Sequence, residues 1–484
     1  MKAEMIFYPE VWLSLAFLYF VGEALSRRYS VAISFSIFGL ISLAAYVSLF
    51  SVTVGQAPLA LTVLVISTIC LIASIFFLRR SLTKPLWMAA RSMVFGAFSA
   101  AVSIITQYFG VAGVAFSDGF TILTATSWIQ GAFDISPLDG NKGVKRGFAI
   151  SAVQSLGETG EYVVGFIPLI FIAAVSTSLL IVFRIIGDKK KSVLVSLVLL
   201  AMMLSTEAIF RHLYLMNSHS LIWLAFAITI LMIIDNHGFV FKRTLIVSLI
   251  PLLSALAFAR LDAIWIYAPL LVPIALANYR ASKINGLLVL SPVLISLGAW
   301  LFLVMVDFPF GGKAGVGIIL TLAASAFLLA NWLLPETALT AASLRKIYYF
   351  ASLGLLLVII IISNRGISVK NLVVNLFLGE GLWGVTFVAL LVFSLLAIPL
   401  LRRVNSDQIV KFLHAAGLLA MSLYLFARVA DGLDSGAFTG HGFSRIGWGD
   451  SLNRMLVAYI PFAVVFVSSA LSVGANTKVE HKFR

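Results

Sequence analysis

Four short polar clusters interrupt an otherwise apolar chain, and their residue types suit acid–base and phosphate chemistry. In Thr206-Glu207-Ala208-Ile209-Phe210-Arg211-His212, Glu207 and Arg211 stand at i and i+4, on one face of a helix, with His212 beside them. A carboxylate beside two bases can bind a phosphate and poise an acid; the same spacing also makes a self-neutralising ion pair. Gly449-Asp450-Ser451-Leu452-Asn453-Arg454 repeats the spacing with Asp450 and Arg454. There Arg454 holds an anion at the membrane surface, or the two residues stabilise a helix start. Arg260-Leu261-Asp262 sets opposite charges in a tight corner, as a pair or as a ligand contact. Ser117-Asp118-Gly119 puts a carboxylate at the mouth of an apolar run, where it is a functional acid or a helix N-cap. His219, His237, His414 and His441 are scattered without metal-ligand spacing and read as structural.

The elements that must position these residues follow from composition. Of 484 residues, 61% are hydrophobic and 11% charged, with a mean hydropathy of +1.06; soluble domains carry about 25% charged residues. A soluble globule is excluded. Apolar runs lie near 7–25, 30–53, 57–78, 93–114, 162–186, 192–206, 219–235, 244–259, 263–278, 285–306, 315–334, 347–363, 382–401, 411–428 and 452–473. Most approach the roughly 20 residues a helix needs to cross a bilayer, and none alternates as barrel strands do. The expected fold is therefore all-α, a polytopic transmembrane bundle of about fifteen spans, those near 192 and 263 tilted, broken or partly re-entrant. The first run contains Glu10 and Glu23 and reaches Arg27-Arg28 without a cleavage pattern, as a retained signal anchor would. Cys70 alone supports no intrachain disulfide, and no GxxxxGK[ST] phosphate loop occurs, so ATP-driven chemistry is not expected.

The net charge of +14 is topological information, not a sign of nucleic acid. Arg27-Arg28, Arg79-Arg80-Lys84, Lys189-Lys190-Lys191, Lys242-Arg243, Arg280 with Lys283, Arg345-Lys346, Arg402-Arg403 and the tail from Lys478 to Arg484 fall in every second connection. Basic short loops stay in the cytoplasm, which puts the N-terminus outside and the C-terminus inside. The outer face then holds the loop at residues 116–162, with Asp118, Trp128, Glu158 and Glu161, together with all four polar clusters. Residues 120–133 and 369–378 mix aromatic and aliphatic with polar side chains, as helices floating in the interface do.

Asp118 in the first long outer loop, the Glu207 cluster before an apolar run, Ala259-Arg260-Leu261-Asp262-Ala263 leading into a proline-containing run, and Arg454 opening the last run together resemble the GT-C superfamily of polytopic glycosyltransferases. The resemblance covers roughly residues 92–473. It divides the chain into a three-span accessory region, 1–91, and a catalytic core, 92–484; those three spans depart from the simple plan, in which the first loop follows the first span. It implies transfer of a sugar from a polyprenyl-phosphate donor to a hydroxyl of a lipid or envelope glycan, with inversion, on the extracytoplasmic side of a bacterial inner or plasma membrane. Asp118 would be the base and Glu207 the second acid. Arg211, His212 and Arg454 would hold the donor phosphate, with Arg260, Asp262, Asp450, Asn453 and Trp128 in support. The partners implied are the lipid-linked sugar, its acceptor and membrane lipid, with no nucleic acid. No protein metal site is expected, although two acids and a phosphate could share a divalent cation. A glycan polymerase or ligase using a lipid pyrophosphate, and a transporter or flippase, are the alternatives.

Overall fold

The structure, a computed structural model, describes residues 8–108, 117–131, 148–157, 163, 165–215, 217–304, 313–335, 339–362, 374–386, 388, 389, 392, 408–434 and 454–480. Every secondary-structure element among them is helical, since hydrocarbon offers a backbone no outside partner. In order they are α1 (Pro9–Ser26), α2 (Tyr29–Val54), α3 (Ala60–Leu78), α4 (Pro85–Tyr108), α5 (Ser117–Ile129), α6 (Ala149–Gln154), α7 (Phe166–Ile186), α8 (Lys189–Ser205) and α9 (Glu207–Phe210). Then come α10 (His219–Asn236), α11 (Arg243–Ala259), α12 (Leu261–Ala281), α13 (Lys283–Val304), α14 (Lys313–Leu333), α15 (Ala341–Ile362), α16 (Gln408–Asp434) and α17 (Ile460–Glu480). Single 3-10 turns occupy Arg211–Leu213 and Leu456–Tyr459.

Among the described residues, nine helices are long and apolar enough to cross a bilayer, or ten if α8 and the bent segment after it make one span. The chain is a multi-pass helical membrane protein. Each apolar run of the sequence coincides with a helix of 17 residues or more, except that near 382–401, which lies mostly outside the described residues.

Helix α10 runs through the centre. It is buried on nearly all sides, which is why its sequence is apolar without an amphipathic period. It packs against α7, α17 and the Leu456–Tyr459 turn. Trp223 Nε1 donates to Ser178 Oγ of α7 at 2.8 Å, and the hydroxyls of Thr229 and Tyr267 join α10 to α12. Of the three leading helices, α2 lies inside the bundle against α1, α6 and α11, whereas α3 turns Ile69, Ile72 and Phe76 outward.

One end carries an ion-pair network. Asp235, at the C-terminus of α10, accepts from Arg28 Nη1 at 3.0 Å and Arg184 Nε at 3.0 Å, while Arg27 Nη2 donates to the Ser81 carbonyl at 2.8 Å. Neutral bonds tie the other end together: Phe148 N–H to the Phe258 carbonyl at 2.7 Å and Ala208 N–H to the Leu382 carbonyl at 3.1 Å. Helix α5 lies at this second end. Ile122, Ala125 and Ile129 are buried and the helix packs on α6 and α2, so it is docked on protein where an interface helix was expected. Residues 374–377 form one helical turn with Asn375 and Leu376 buried and Phe377 exposed, closer to the expected amphipathic pattern.

Gly165, just before α7, has φ +89°, and a Cβ there would lie 2.3 Å from Ser103 Cα of α4. Only glycine admits both the left-handed backbone and this approach. Gly165→Ala should cost about 2–4 kcal/mol, seen as a lower thermal-unfolding midpoint of the purified protein in detergent; an unchanged midpoint would contradict this packing.

Candidate functional site

The polar end of the bundle is built around a break after α8. Thr206 stops that helix with φ −86° and ψ 111°, its hydroxyl lying 2.6 Å from the Met202 carbonyl and 2.5 Å from Thr386 Oγ1. The chain then bends by 79° into the segment Glu207–Leu213. This elbow has two faces. Glu207 and Arg211 point outward as an i,i+4 ion pair, with Arg211 Nε 3.0 Å from Glu207 Oε1 and the Glu207 side chain 54% exposed. Ala208, Ile209 and His212 point inward, and His212 is fully buried.

Around His212 three further segments converge. Asn217, 4% exposed, precedes α10; its Oδ1 accepts from the His219 N–H at 2.9 Å, and its Nδ2 lies 3.4 Å from His212 Nδ1. This side-chain loop satisfies one of the open N–H groups at the helix start. His219, also buried, crosses the His212 ring at 84° with centroids 5.6 Å apart. Arg260 holds the corner between α11 and α12 in extended backbone, with Nη1 3.3 Å from His219 Nε2. Arg454, 4% exposed, opens the final helical segment; it acts electrostatically on the His212 ring, which also hydrogen-bonds to the Arg454 main chain. Two guanidinium groups, two imidazoles and an amide thus share one buried cluster, reached from the elbow, the α10 start, the α11–α12 corner and the approach to α17.

Burial first, and the Arg454 charge second, pull the His212 pKa down to about 3. The ring is neutral at physiological pH.

Of the residues singled out from sequence, His212, Arg260 and Arg454 come together in this cluster. Glu207 and Arg211 stand on the outward face of the same elbow, in the self-neutralising arrangement that was one of their two readings. Trp128 is half-buried in α5 and packs on the main core. Asp118 lies in the first turn of α5, but its side chain and that of Asp262 fall outside the described residues, as do Asp450, Asn453, Glu158 and Glu161. Asn217 was not singled out, and His219, read as structural, lies in the cluster. The signal that links them is the spacing Arg211-His212 then Asn217-Ser218-His219 within one connector.

No protein-family model, curated protein or solved structure matches the chain. Fold and site therefore define it as a class: a multi-pass helical membrane protein with a buried arginine–histidine cluster at one end of its bundle.

His212 has a testable pH signature. Its folded pKa lies below the usual 6.5, so between about pH 3 and 6.5 the unfolded chain binds more protons than the folded one. Stability contributed by the neutral ring is complete above pH 6.5 and falls as the pH drops, by at most about 1.4 kcal/mol per pH unit. His212→Gln should flatten this slope in unfolding midpoints taken from pH 4 to 8, and an identical slope in wild type and variant would refute the assignment.

Proposed function

We propose that the protein is a membrane glycosyltransferase that takes a sugar from a polyprenyl-phosphate donor at the polar end of its bundle. The observation that supports this reading best is the convergence of buried Arg260 and Arg454 with His212 and His219. Guanidinium groups are expensive to place in a lipid-embedded protein, and where they persist they mark ligand or ion sites. Their planar N–H sets match phosphate oxygens. An arginine-containing cluster at the end of a membrane-spanning bundle suits a phosphate carried on a lipid tail.

In this reading the acceptor hydroxyl attacks the anomeric carbon from the face opposite the phosphate. The new bond forms from the acceptor oxygen to C1 as the bond from C1 to the phosphate oxygen breaks, inverting the configuration. The hydroxyl proton passes to a carboxylate, and the electron pair leaves with the lipid phosphate, whose growing charge the two arginines stabilise. Asp118 is the proposed base. It opens α5, which packs on α6, and α6 follows directly on Phe148, bonded to Phe258 two residues before Arg260. Glu207, paired with Arg211, serves better as an outer-rim residue than as a second acid at the reacting centre.

The reading takes the fifteen apolar runs as fifteen spans, with the polar end extracytoplasmic and the C-terminus in the cytoplasm. The alternation of basic connections supports this, and so does the gathering of Arg27, Arg28 and Arg184 at the end remote from the cluster. A single cysteine placed at Ser136 in a Cys70→Ser background should react with an impermeant maleimide added outside intact cells; labelling only after the cytoplasm is opened would reverse the topology.

A second reading has its own support. Two buried arginines also match the two phosphates of a lipid pyrophosphate, and Glu207 turns outward, which fits a polymerase or ligase that transfers a whole glycan. Purified protein offered either a polyprenyl-phosphate monosaccharide or a lipid-pyrophosphate oligosaccharide separates the two. With the monosaccharide donor, Asp118→Asn should lower turnover by about a hundredfold or more when chemistry limits the rate. Full turnover in Asp118→Asn, or transfer from the oligosaccharide donor alone, would displace the first reading.

A further inference from the structure

We infer that the cavity between the ends of α10 and α12 and the starts of α15 and α16 binds an anionic phospholipid, its headgroup drawn by Arg280 and its first methylenes resting on Phe239 and Ile409. The cavity lies at the end of the bundle remote from the arginine–histidine cluster, and the inference does not rest on the transfer reading.

The cavity measures about 620 Å³, within the range of small-ligand sites, about 300–1,000 Å³. Phe239 and Ile409 in its lining are buried, whereas His237, Val240 and Gln408 are exposed. It therefore has an apolar floor and a mouth at the protein surface. Its walls are fixed by hydrogen bonds and ring packing. Asn278, fully buried near the end of α12, donates from Nδ2 to the Phe239 carbonyl at 2.7 Å and accepts at Oδ1 from the Phe241 N–H at 2.8 Å, which ties the connector after α10 to α12. Phe239 meets Phe412 of α16 edge-on, with centroids 4.7 Å apart. A cavity held in this way loses little conformational freedom when it is filled.

Two helix starts and two helix ends meet there, so their dipoles largely offset. Arg280, also in the lining, decides the sign. Its Nε donates to Asn331 Oδ1 at 3.2 Å, and its Nη2 donates to the carbonyls of Asn331, at 3.1 Å, and Leu334. These oxygens end α14, and capping that helix is the plain structural role of the side chain. None of the three carries charge, so they hold the guanidinium in place without neutralising it. Nη1, screened from water, has no hydrogen-bond partner among the described residues. At the mouth Gln408 Oε1 accepts from Arg345 Nη1 at 3.4 Å, which brings a second guanidinium to the rim. Glu336 and Asp407, in the connections entering α15 and α16, lie outside the described residues; a carboxylate of the chain itself is the rival to an external anion.

The place of the cavity and its floor select a lipid over a soluble anion. Helices that cross a bilayer end in its headgroup layer, where phosphodiesters are the abundant anions. A free phosphate makes no use of buried Phe239 and Ile409, whereas a phospholipid matches the charged wall and the apolar floor together. Basic pockets between membrane helices bind anionic lipid headgroups on the same physical grounds.

The test is native mass spectrometry of the full chain released from detergent, titrated with palmitoyl-oleoyl phosphatidylglycerol, with the phosphatidylcholine of the same chains, or with inorganic phosphate. Phosphatidylglycerol should fill one site with half-saturation at least about tenfold below that of phosphatidylcholine, the margin of one charge-assisted contact, and millimolar inorganic phosphate should not displace it. Arg280→Gln should bring the two lipids to equal half-saturation. Lys189→Gln removes an exposed cation of the same end that does not line the cavity and should leave the margin intact. Ala281→Trp fills the mouth while keeping Arg280 and should also abolish the preference, which keeps the site testable where Arg280→Gln fails to fold. Equal binding of the two lipids by the wild type, a preference that survives Arg280→Gln or Ala281→Trp, or the same loss in Lys189→Gln would overturn the site. Displacement of the lipid by inorganic phosphate would overturn the lipid as its occupant.

Discussion

Helix α10 has almost no lipid-facing side, and what the bundle holds at either end depends on keeping it there. At one end Asp235 takes bonds from Arg28 and Arg184, fixing the helix against the α1–α2 junction and α7. Midway, Trp223 bonds to Ser178 and the Phe226 ring packs at tilted or edge-on angles against Tyr267, Tyr459 and Phe462. At the other end Asn217 and His219 emerge into the arginine–histidine cluster. A helix wrapped in protein cannot rotate to suit a solvent, so the direction in which His219 points is set by packing along the whole of α10. The cluster inherits its rigidity from apolar contacts that have no chemistry of their own.

The electrostatics of the two ends differ in kind. Asp235 is shared by two arginines whose side chains are 33% and 59% exposed, so that network sits at a boundary where water screens it and its net contribution is modest. Arg260 and Arg454 are held at 9% and 4% exposure, where solvation is largely lost. Their neighbour His212 is kept neutral by burial first and by the Arg454 charge second. Burying a guanidinium group costs solvation that its partners must return.

Much of the fold could be read from the sequence, because an apolar run in hydrocarbon has one backbone solution, although boundaries shift by up to eight residues, as at α4 (Pro85–Tyr108 for the run 93–114) and α17 (Ile460–Glu480 for 452–473). The bend after Ser205 was partly readable: the run near 192–206 was short, and Thr206 is a poor helix continuer. Less of the site could be read. His212, Arg260 and Arg454 were named because polar groups between apolar runs are conspicuous. Their convergence is tertiary, and spacing within one connector says nothing of a corner and a helix start far along the chain. Glu207 shows the same limit. Its i,i+4 relation to Arg211 was plain, but which way a four-residue helix faces is decided by Ala208 and Ile209 seeking the core. The docking of α5 was missed for a related reason, since a mixed aromatic and polar segment has the same composition whether it floats in the interface or packs on α6.

The placement of charge within the helices bears on whether such a bundle could instead carry a solute across. Glu23 and its partner Arg91 lie within two turns of the ends of α1 and α4, and Arg184 and Asp235 lie in the last turns of α7 and α10. A coupling ion moving through the bundle needs ionisable or carbonyl ligands near the midplane. At that depth α10 offers the Thr229 hydroxyl, already bonded to Tyr267, amid buried Phe226, Ile230 and Leu231. The Thr229–Tyr267 pair is a neutral, mutually satisfied contact in an apolar layer. Along α10 the polar hydroxyl at this depth is paired within the protein, and the Asn217–His219 and Asp235 contacts lie at the two ends of the helix.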